Sequence, residues 1–220
     1  MKAQTISFPC AVTLVGGGAL DAQMLAEATR LAPVLVAADG AADRLRALGM
    51  DPALIVGDMD SLQDRASWDP EKVLALEEQD STDFEKCLYS TSAPGYVAAG
   101  FTGRRVDHML AAFHALLRYP DKRVVLLGEE EVIASLPAAR TFDISVDPGA
   151  VVSIYPLLPV KGTHSRGLKW SVEGLEMAPG RQIGTSNEAV EDNISIGFDG
   201  PGAILMLERR YLGALFEALA

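Results

Sequence analysis

Residues 34–61 read VLVAADGAADRLRALGMDPALIVGDMDS and contain two short apolar runs with a helical pattern between them. The runs Val34–Ala38 and Leu54–Val56 are continuously apolar, whereas Ala41–Leu48 repeats its apolar side chains about every 3.6 residues. Continuously apolar strands are typical of a parallel sheet that is buried on both faces. The stretch therefore predicts a strand, a helix and a second strand of a parallel α/β sheet.

The same alternation continues on both sides of this stretch, from residue 11 to about residue 136. Four more strands are predicted, at Ala11–Val15, Val73–Leu76, Tyr96–Ala99 and Val124–Leu127. Three more helices are predicted, at Ala22–Leu31, Thr82–Tyr89 and Asp107–Leu117. We therefore expect residues 1–137 to form an α/β domain with a mostly parallel sheet.

The pattern changes after Pro137, where short apolar runs alternate with Pro, Gly and Asn turns. The predicted strands of this part are Ala150–Tyr155, Lys169–Val172, Ile194–Gly197 and Ala203–Glu208. A helix is predicted only at Leu212–Leu219. Residues 138–220 are therefore expected to form a small all-β domain.

The composition excludes several classes of protein. The chain has 220 residues, with 19 Lys and Arg against 30 Asp and Glu, for a net charge of −11. Nucleic acid and membrane surfaces are thus not expected partners, because nucleic-acid binding relies on clustered cations and no apolar run reaches the length of a membrane span. Cys10 and Cys87 support neither a disulfide framework nor a thiolate metal site, and a cytoplasmic location is predicted.

Acidic residues follow four consecutive predicted strands, where ligands bind in open parallel sheets. Asp39 and Gly40 follow one strand, and Asp58 and Asp60 follow the next. The third group lies in residues 77–83, which read EEQDSTD, and the fourth in residues 100–108, which read GFTGRRVDH. Taken singly, Asp39 as well as Asp80 with Asp83 could be turn or helix-capping residues.

Asp58 and Asp60 are harder to explain as structural residues. If the strand end is extended, positions i and i+2 project to the same side and the two carboxylates face each other. A hard divalent cation would remove their repulsion, so the pair predicts a Mg²⁺ site.

Other signals are weaker. Gly16–Gly18 follows a strand but lacks the third glycine of a dinucleotide fingerprint, and no Walker-type phosphate loop occurs. Arg104 and Arg105 are a local cationic exception on the acidic edge, and arginine suits bidentate phosphate contacts. The three histidines lack the spacing of a zinc site, and no acyl-enzyme nucleophile motif is present.

These motifs, in this order, resemble thiamine pyrophosphokinase (thiamine diphosphokinase). The resemblance rests on Asp39-Gly40, Gly57-Asp58-Met59-Asp60-Ser61, Asp80-Ser81-Thr82-Asp83-Phe84-Glu85-Lys86, Gly103-Arg104-Arg105-Val106-Asp107-His108, Gly167-Leu168-Lys169-Trp170 and Thr185-Ser186-Asn187-Glu188. It extends from about residue 12 to residue 208. Each motif alone is weak, but six in order across two unlike domains are specific.

The resemblance implies an ATP-dependent pyrophosphotransferase that converts thiamine to thiamine diphosphate and releases AMP. It also implies a Rossmann-like α/β domain over residues 1–137, which binds ATP and Mg²⁺, and a β-sandwich domain over residues 138–220, which binds thiamine and forms the dimer. The implied homodimer has its active sites between subunits and requires Mg²⁺. The implied catalytic residues are Asp58, Asp60, Asp83, Arg105 and Asp107, the first three holding Mg²⁺ and Arg105 contacting phosphate. The implied binding residues are Asp39, Gly40, Gln79, Asp80, Gly103, Trp170, Ser186 and Asn187, with Trp170 stacking on the thiamine pyrimidine and Ser186 and Asn187 bonding its polar edge.

One position departs from the family pattern, which usually has glycine where Arg104 stands. Glycine at that position would permit a positive φ or a close backbone approach. Three other functions stay open on the sequence: a pyrophosphokinase acting on another small alcohol such as a pterin, a non-catalytic sensor of ATP or thiamine diphosphate, and a methyltransferase-like domain.

Overall fold

A computed structural model describes residues 5–220, which form two compact units. Unit 1 contains the chain up to Ala115 together with Leu126–Glu129, and unit 2 contains Leu116–Val125 and Glu130–Ala220. The predicted division into domains at residue 137 stays a prediction. No helix in the described part of the chain is long and apolar enough to cross a membrane.

Unit 1 alternates strands and helices. Its strands are β1 Ile6–Ser7, β2 Val12–Val15, β3 Val34–Ala38, β4 Leu54–Gly57, β5 Val73–Ala75, β6 Thr91–Ser92 and β7 Tyr96–Ala99. Its helices are α1 Ala22–Leu31, α2 Ala41–Ala47, α3 Asp83–Ser90 and α4 Val106–Arg118, and the last three residues of α4 fall in unit 2. Short 3₁₀ turns occur at Arg65–Ser67 and Pro70–Lys72.

Five of these strands form parallel pairs in the order β7-β2-β3-β4-β5. Strands β2, β4 and β7 are fully buried, which agrees with their continuously apolar sequences. The predicted parallel α/β sheet is therefore confirmed. The chain moves outward from β2 to β5 and then returns to β7 on the other side of β2, so the strand order reverses next to β2.

A cluster of apolar side chains packs α1 and α2 onto the sheet and supports the strand ends. Its buried members are Val15, Leu25, Leu35, Ala37, Ala41, Ala42, Leu45, Ile55, Met59, Leu62 and Trp68. Because Met59 and Leu62 belong to this cluster, the loop that follows β4 is anchored in the core.

Unit 2 is built mainly of antiparallel strands. They are β9 Glu131–Ser135, β10 Thr141–Ser145, β11 Val151–Pro156, β12 Val160–Arg166, β13 Glu176–Met177, β14 Gly184–Glu188, β15 Asn193–Phe198 and β16 Ala203–Glu208. Strand β8, Val124–Leu127, crosses the boundary between the units, and a 3₁₀ turn at Arg209–Tyr211 precedes α5, Leu212–Ala218. One set of strands has the order β14-β11-β16-β9 and the other β10-β15-β12-β13.

The predicted strand at Lys169–Val172 is wrong. Gly167 has a φ of +76°, which turns the chain, and Leu168 forms only an isolated bridge with Ala189 before the backbone leaves the sheet. Two of the strands have no apolar pattern: β12 reads VKGTHSR and β14 reads GTSNE. Neither could be predicted from hydropathy.

Candidate active site

The two aspartates after β4 are brought together by a tight turn and not by an extended strand end. Strand β4 stops at Gly57, and Met59 has a left-handed backbone with a φ of +69° while its side chain is buried in the core. The backbone N–H of Asp60 donates to Asp58 Oδ1 at 3.3 Å. The expectation of extended geometry is therefore wrong, and the buried Met59 side chain is what leaves its two acidic neighbours at the surface.

Asp39, which follows β3, joins this pair. It is 2% exposed, its Oδ2 accepts a hydrogen bond from the Ser61 N–H at 3.1 Å, and its buried Oδ1 has no partner. Burial is the main cause that raises the pKa of Asp39 to about 6, and the neighbouring Asp60 and Asp83 raise it further. Asp39 can lie here only because residue 57 is glycine. A Cβ at residue 57 would lie 2.7 Å from Asp39 Cβ.

One carboxylate oxygen from each of Asp39, Asp58 and Asp60 lies within 4.8 Å of the other two. Three carboxylates at this distance, one of them buried with an unpartnered oxygen, match the oxygen ligands that Mg²⁺ prefers. The donor set therefore fits a hard divalent cation.

Asp83 lies at the start of α3, and a buried lysine separates it from Asp58. The helix begins with a reciprocal capping box between Thr82 and Glu85, which fixes its first turn. Lys86, 2% exposed, places its Nζ 3.4 Å from Asp83 Oδ1 and 3.7 Å from Asp58 Oδ2. Burial raises the pKa of Asp83, and the Lys86 ammonium opposes that shift.

The loop before α3 is organised by Glu78. Its carboxylate accepts hydrogen bonds from the backbone N–H groups of Asp80 and Ser81, the Ser81 hydroxyl and the Tyr89 hydroxyl. This arrangement presents Gln79, whose Nε2 donates to Asp58 Oδ2 at 2.8 Å. The Gln79 hydrogen bond is the main cause that lowers the pKa of Asp58.

The Gly16–Gly18 loop packs directly against the chain after β7. A Cβ at Gly16 or Gly18 would lie 2.5 or 2.6 Å from the carbonyl oxygen of Gly100. The backbone N–H groups of Gly16, Gly18 and Ala19 donate to the carbonyls of Ala99, Gly100 and Thr102. These glycines thus serve close backbone packing, and the three N–H groups are not available to a phosphate.

Arg44 of α2 holds the other side of the same loop. Its guanidinium donates to the carbonyl oxygens of Gly18 at 2.7 Å and Leu20 at 2.9 Å. The loop therefore has backbone partners on one side and a cationic side chain on the other.

Arg105 and Asp107 form a two-bond ion pair at the start of α4. Arg105 Nε donates to Asp107 Oδ1 at 3.1 Å, and its Nη2 donates to Oδ2 at 2.5 Å. Both side chains are more than 60% exposed. The Arg105 hydrogen bond is the main cause that lowers the pKa of Asp107 to about 2, so its carboxylate is a weak proton acceptor.

All these elements of unit 1 surround one cavity of about 830 Å³. The predicted site residues that line it are Asp39, Gly40, Asp58, Asp60, Gln79, Asp83, Gly103 and Arg105. Asp107 reaches the cavity wall through Arg105, whereas Asp80 is exposed and does not line the cavity. A volume of this size is sufficient for a nucleotide-sized ligand.

Within unit 2, the structure brings Trp170 and Asn187 together. Trp170 is 56% exposed, and Asn187 is 4% exposed. The neighbouring Ser186 has a φ of +58° and its N–H donates to Ser153 Oγ at 2.9 Å. Lys169 Nζ lies 4.9 Å from the centre of the Trp170 ring.

Comparison with protein families identifies both parts of the chain. Residues 25–126 match the catalytic domain of thiamin pyrophosphokinase, and residues 141–201 match its vitamin B1 binding domain. The chain belongs to the thiamin pyrophosphokinase family.

Individual relatives of the family agree. Thiamine pyrophosphokinase 2 of Arabidopsis thaliana is 32% identical over 166 residues, which cover 67% of this chain and 62% of the relative. The match thus spans less than two thirds of the length of this curated relative. Two solved thiamin pyrophosphokinases show the same fold: that of Geobacillus thermodenitrificans, at 23% identity and a TM-score of 0.74, and that of Candida albicans, at 16% and 0.76. They cover 90% and 94% of this chain, and 96% and 93% of their own chains.

The acidic motifs of the family lie around the cavity. Two cationic residues that also line the cavity, Lys86 and Arg44, were not predicted as site residues from the sequence. Lys86 belongs to the motif that starts at Asp80, and its three-residue spacing from Asp83 on a helix was the available signal. Arg44 gave no such signal, because nothing in its local sequence separates it from an exposed helical arginine. The sequence also placed Asp39 among the binding residues without grouping it with the metal ligands.

Proposed function

We propose that this protein transfers the pyrophosphoryl group of ATP to thiamine, giving AMP and thiamine diphosphate. The observation that carries the proposal is the cluster of Asp39, Asp58 and Asp60 at the end of a nucleotide-sized cavity, in a chain that matches both domains of the family. The comparisons favour neither a pterin pyrophosphokinase nor a sensor protein.

In the proposed reaction the thiamine hydroxyl oxygen bonds to the β-phosphorus of ATP, the bond from that phosphorus to the α-phosphate oxygen breaks, and AMP leaves. The hydroxyl proton is released. Such transfers require mainly positioning and stabilisation of charge. When bound, Mg²⁺ would neutralise charge on the phosphate oxygens.

The residues around the cavity have matching roles in this proposal. Asp58, Asp60 and Asp83 hold Mg²⁺, and we add Asp39 because its unpartnered oxygen lies in the cluster. Gln79 orients Asp58, and the Lys86 ammonium bridges Asp58 and Asp83 and offsets the repulsion between them. Arg105 lies at the cavity wall as a phosphate contact, and Asp107 fixes its orientation.

The second half of the site is assigned to unit 2. We propose that the exposed Trp170 ring stacks on the thiamine pyrimidine and that Ser186 and Asn187 border it. A half-exposed tryptophan offers an apolar face for stacking. The acidity of the chain also suits a cationic vitamin.

The finer architecture is likewise proposed: a Rossmann-like domain over residues 1–137, a β-sandwich over residues 138–220, and a cytoplasmic homodimer with active sites between subunits. The two family matches lie on either side of residue 137, which supports this division. Sedimentation would test the dimer, and mixing two inactive variants, one in each domain, would test shared sites. Restored activity in the mixture would support active sites between subunits, and none would argue against them.

The central test is product analysis with purified protein, ATP, Mg²⁺ and thiamine. We expect AMP and thiamine diphosphate in equal amounts, and ADP or turnover independent of thiamine would contradict the proposal. Asp60→Asn should lose most activity while remaining folded, because an amide brings no charge to Mg²⁺. The control is Asp64→Asn, the same change at an exposed residue of the same loop whose side chain makes no capping bond.

A further inference from the structure

Four cationic side chains line the cavity, and three of them already have partners. Lys86 and Arg105 each face carboxylates, and Arg44 donates to backbone carbonyls. The guanidinium of Arg104 makes no hydrogen bond or ion pair within residues 5–220. Among the described cations of the cavity wall, it alone is unengaged.

The backbone of Arg104 is held in an unfavourable conformation. Its φ is +53°, directly after Gly103 at +72°. A residue with a side chain is strained in the left-handed region, where glycine is not. Strain that persists at a cavity wall points to a functional reason for the residue.

Arg104 also lies near a second positive charge. Burial is the main cause that lowers the pKa of Arg44, and the charge of Arg104 lowers it further. The two guanidinium groups therefore repel each other on the same wall. An anion bound beside them would relieve this repulsion.

The backbone of the Gly16–Gly18 loop offers little alternative for such an anion. The N–H groups of Gly16, Gly18 and Ala19 are used within the protein. The positive charges that the protein itself offers a polyanion at this wall are therefore those of its side chains. The ion pair with Asp107 already neutralises Arg105.

We propose that Arg104 supplies the free positive charge that binds the polyphosphate of a nucleoside triphosphate in this cavity. In this proposal Arg105 is a second phosphate contact. Its ion pair with Asp107 fixes its orientation and balances its charge. This inference rests on the proposed function only in taking a nucleoside triphosphate as the ligand.

The test is calorimetric binding of ATP with Mg²⁺, of adenosine and of thiamine, without turnover. Arg104→Gly suits the backbone and should fold at least as stably as the original chain, and Arg104→Gln removes the charge with little loss of size. Both should bind ATP roughly 10- to 100-fold more weakly, the range expected when a charge-assisted hydrogen bond is lost. Binding of adenosine and thiamine should not change. Arg104→Lys should keep part of the affinity, and the exposed Arg65→Gln is the matched control.

The possible results separate this inference from the proposed function. If the unaltered protein binds ATP and both Arg104 variants bind it equally well, the inference is overturned while the proposed function stands. If the variants lose adenosine as strongly as ATP, the arginine does not act on the polyphosphate and the inference is also overturned. If the unaltered protein binds no ATP, both proposals fail.

Discussion

The side-chain amide of Asn187 forms hydrogen bonds with both the backbone N–H and the backbone carbonyl of Trp170. Asn187 Oδ1 accepts from the Trp170 N–H at 3.1 Å, and Nδ2 donates to the Trp170 carbonyl at 2.7 Å. Oδ1 also accepts from the Glu188 N–H at 2.9 Å. The buried amide therefore fixes the position of an exposed ring, whereas the family resemblance assigns Asn187 to direct contact with thiamine.

We expect Asn187→Ala to weaken thiamine binding by releasing Trp170. Loss of these hydrogen bonds should cost about 1–3 kcal/mol, because buried backbone groups lose their partner. Trp170 emission in a Trp68→Phe background would report the release, and calorimetry would report thiamine affinity. Asn193→Ala, at an exposed asparagine of the same unit, is the control. Weaker thiamine binding with unchanged Trp170 emission would instead show that Asn187 contacts thiamine directly.

A second prediction concerns the pH dependence of stability at Asp39. Its pKa in the folded protein, about 6, lies above the ordinary 3.8, so the ionised carboxylate destabilises the folded state. This destabilisation is absent below about pH 4, grows as the pH rises from about 4 to about 6, and is complete above pH 6. Without metal, Asp39→Asn should therefore be more stable than the original chain at pH 7.5, by of order 1–3 kcal/mol, with a gap that closes toward pH 4.

Urea unfolding in the presence of a chelator at several pH values measures this gap. Mg²⁺ should stabilise the original chain and stabilise Asp39→Asn much less, since one ligand has lost its charge. A gap of the same size at pH 4 and pH 7.5 would contradict the raised pKa. Equal stabilisation of both proteins by Mg²⁺ would remove Asp39 from the metal ligands.

The third prediction concerns the buried ammonium of Lys86. Lys86→Met should destabilise the metal-free protein by roughly 1–3 kcal/mol, because Asp58 and Asp83 would lose a shared cation in a partly buried setting. Mg²⁺ should then restore more stability to the variant than to the original chain, although transfer activity falls. Thermal unfolding across a Mg²⁺ titration measures both effects. The control is Lys72→Met, at a half-buried lysine that pairs with Asp51. A smaller Mg²⁺ effect in the variant would show that Lys86 does not compete with the metal.

The sequence predicted the parallel sheet and the location of its acidic residues, because apolar runs and strand ends are local features. Strand β3 was predicted with the bounds it has, Val34–Ala38, and Asp39 follows it at the cavity. The turn at Met59 was not predictable, since it depends on burial of one side chain among distant residues. For the same reason the sequence could not show that Asn187 turns inward to the Trp170 backbone.

The polar strands of unit 2 show a second limit. β12 and β14 are defined by pairing with neighbours far along the chain, and their own residues carry no period-two apolar pattern. Pairing of this kind depends on register, which local propensity does not encode.

The glycine triplet allows a prediction with an internal control. Gly16 and Gly18 face the carbonyl oxygen of Gly100 at distances that exclude a Cβ, whereas a Cβ at Gly17 would meet no atom within 4 Å. Gly16→Ala and Gly18→Ala should therefore each destabilise unit 1 by about 1–3 kcal/mol or more, as overpacking against backbone does. Gly17→Ala should change the free energy of unfolding by less than about 1 kcal/mol, and in the stabilising direction, by restricting the unfolded chain. Urea unfolding of the three variants measures this difference. Equal destabilisation at all three positions would contradict this explanation. It would mean that the three glycines are needed for backbone flexibility and not for close packing against Gly100.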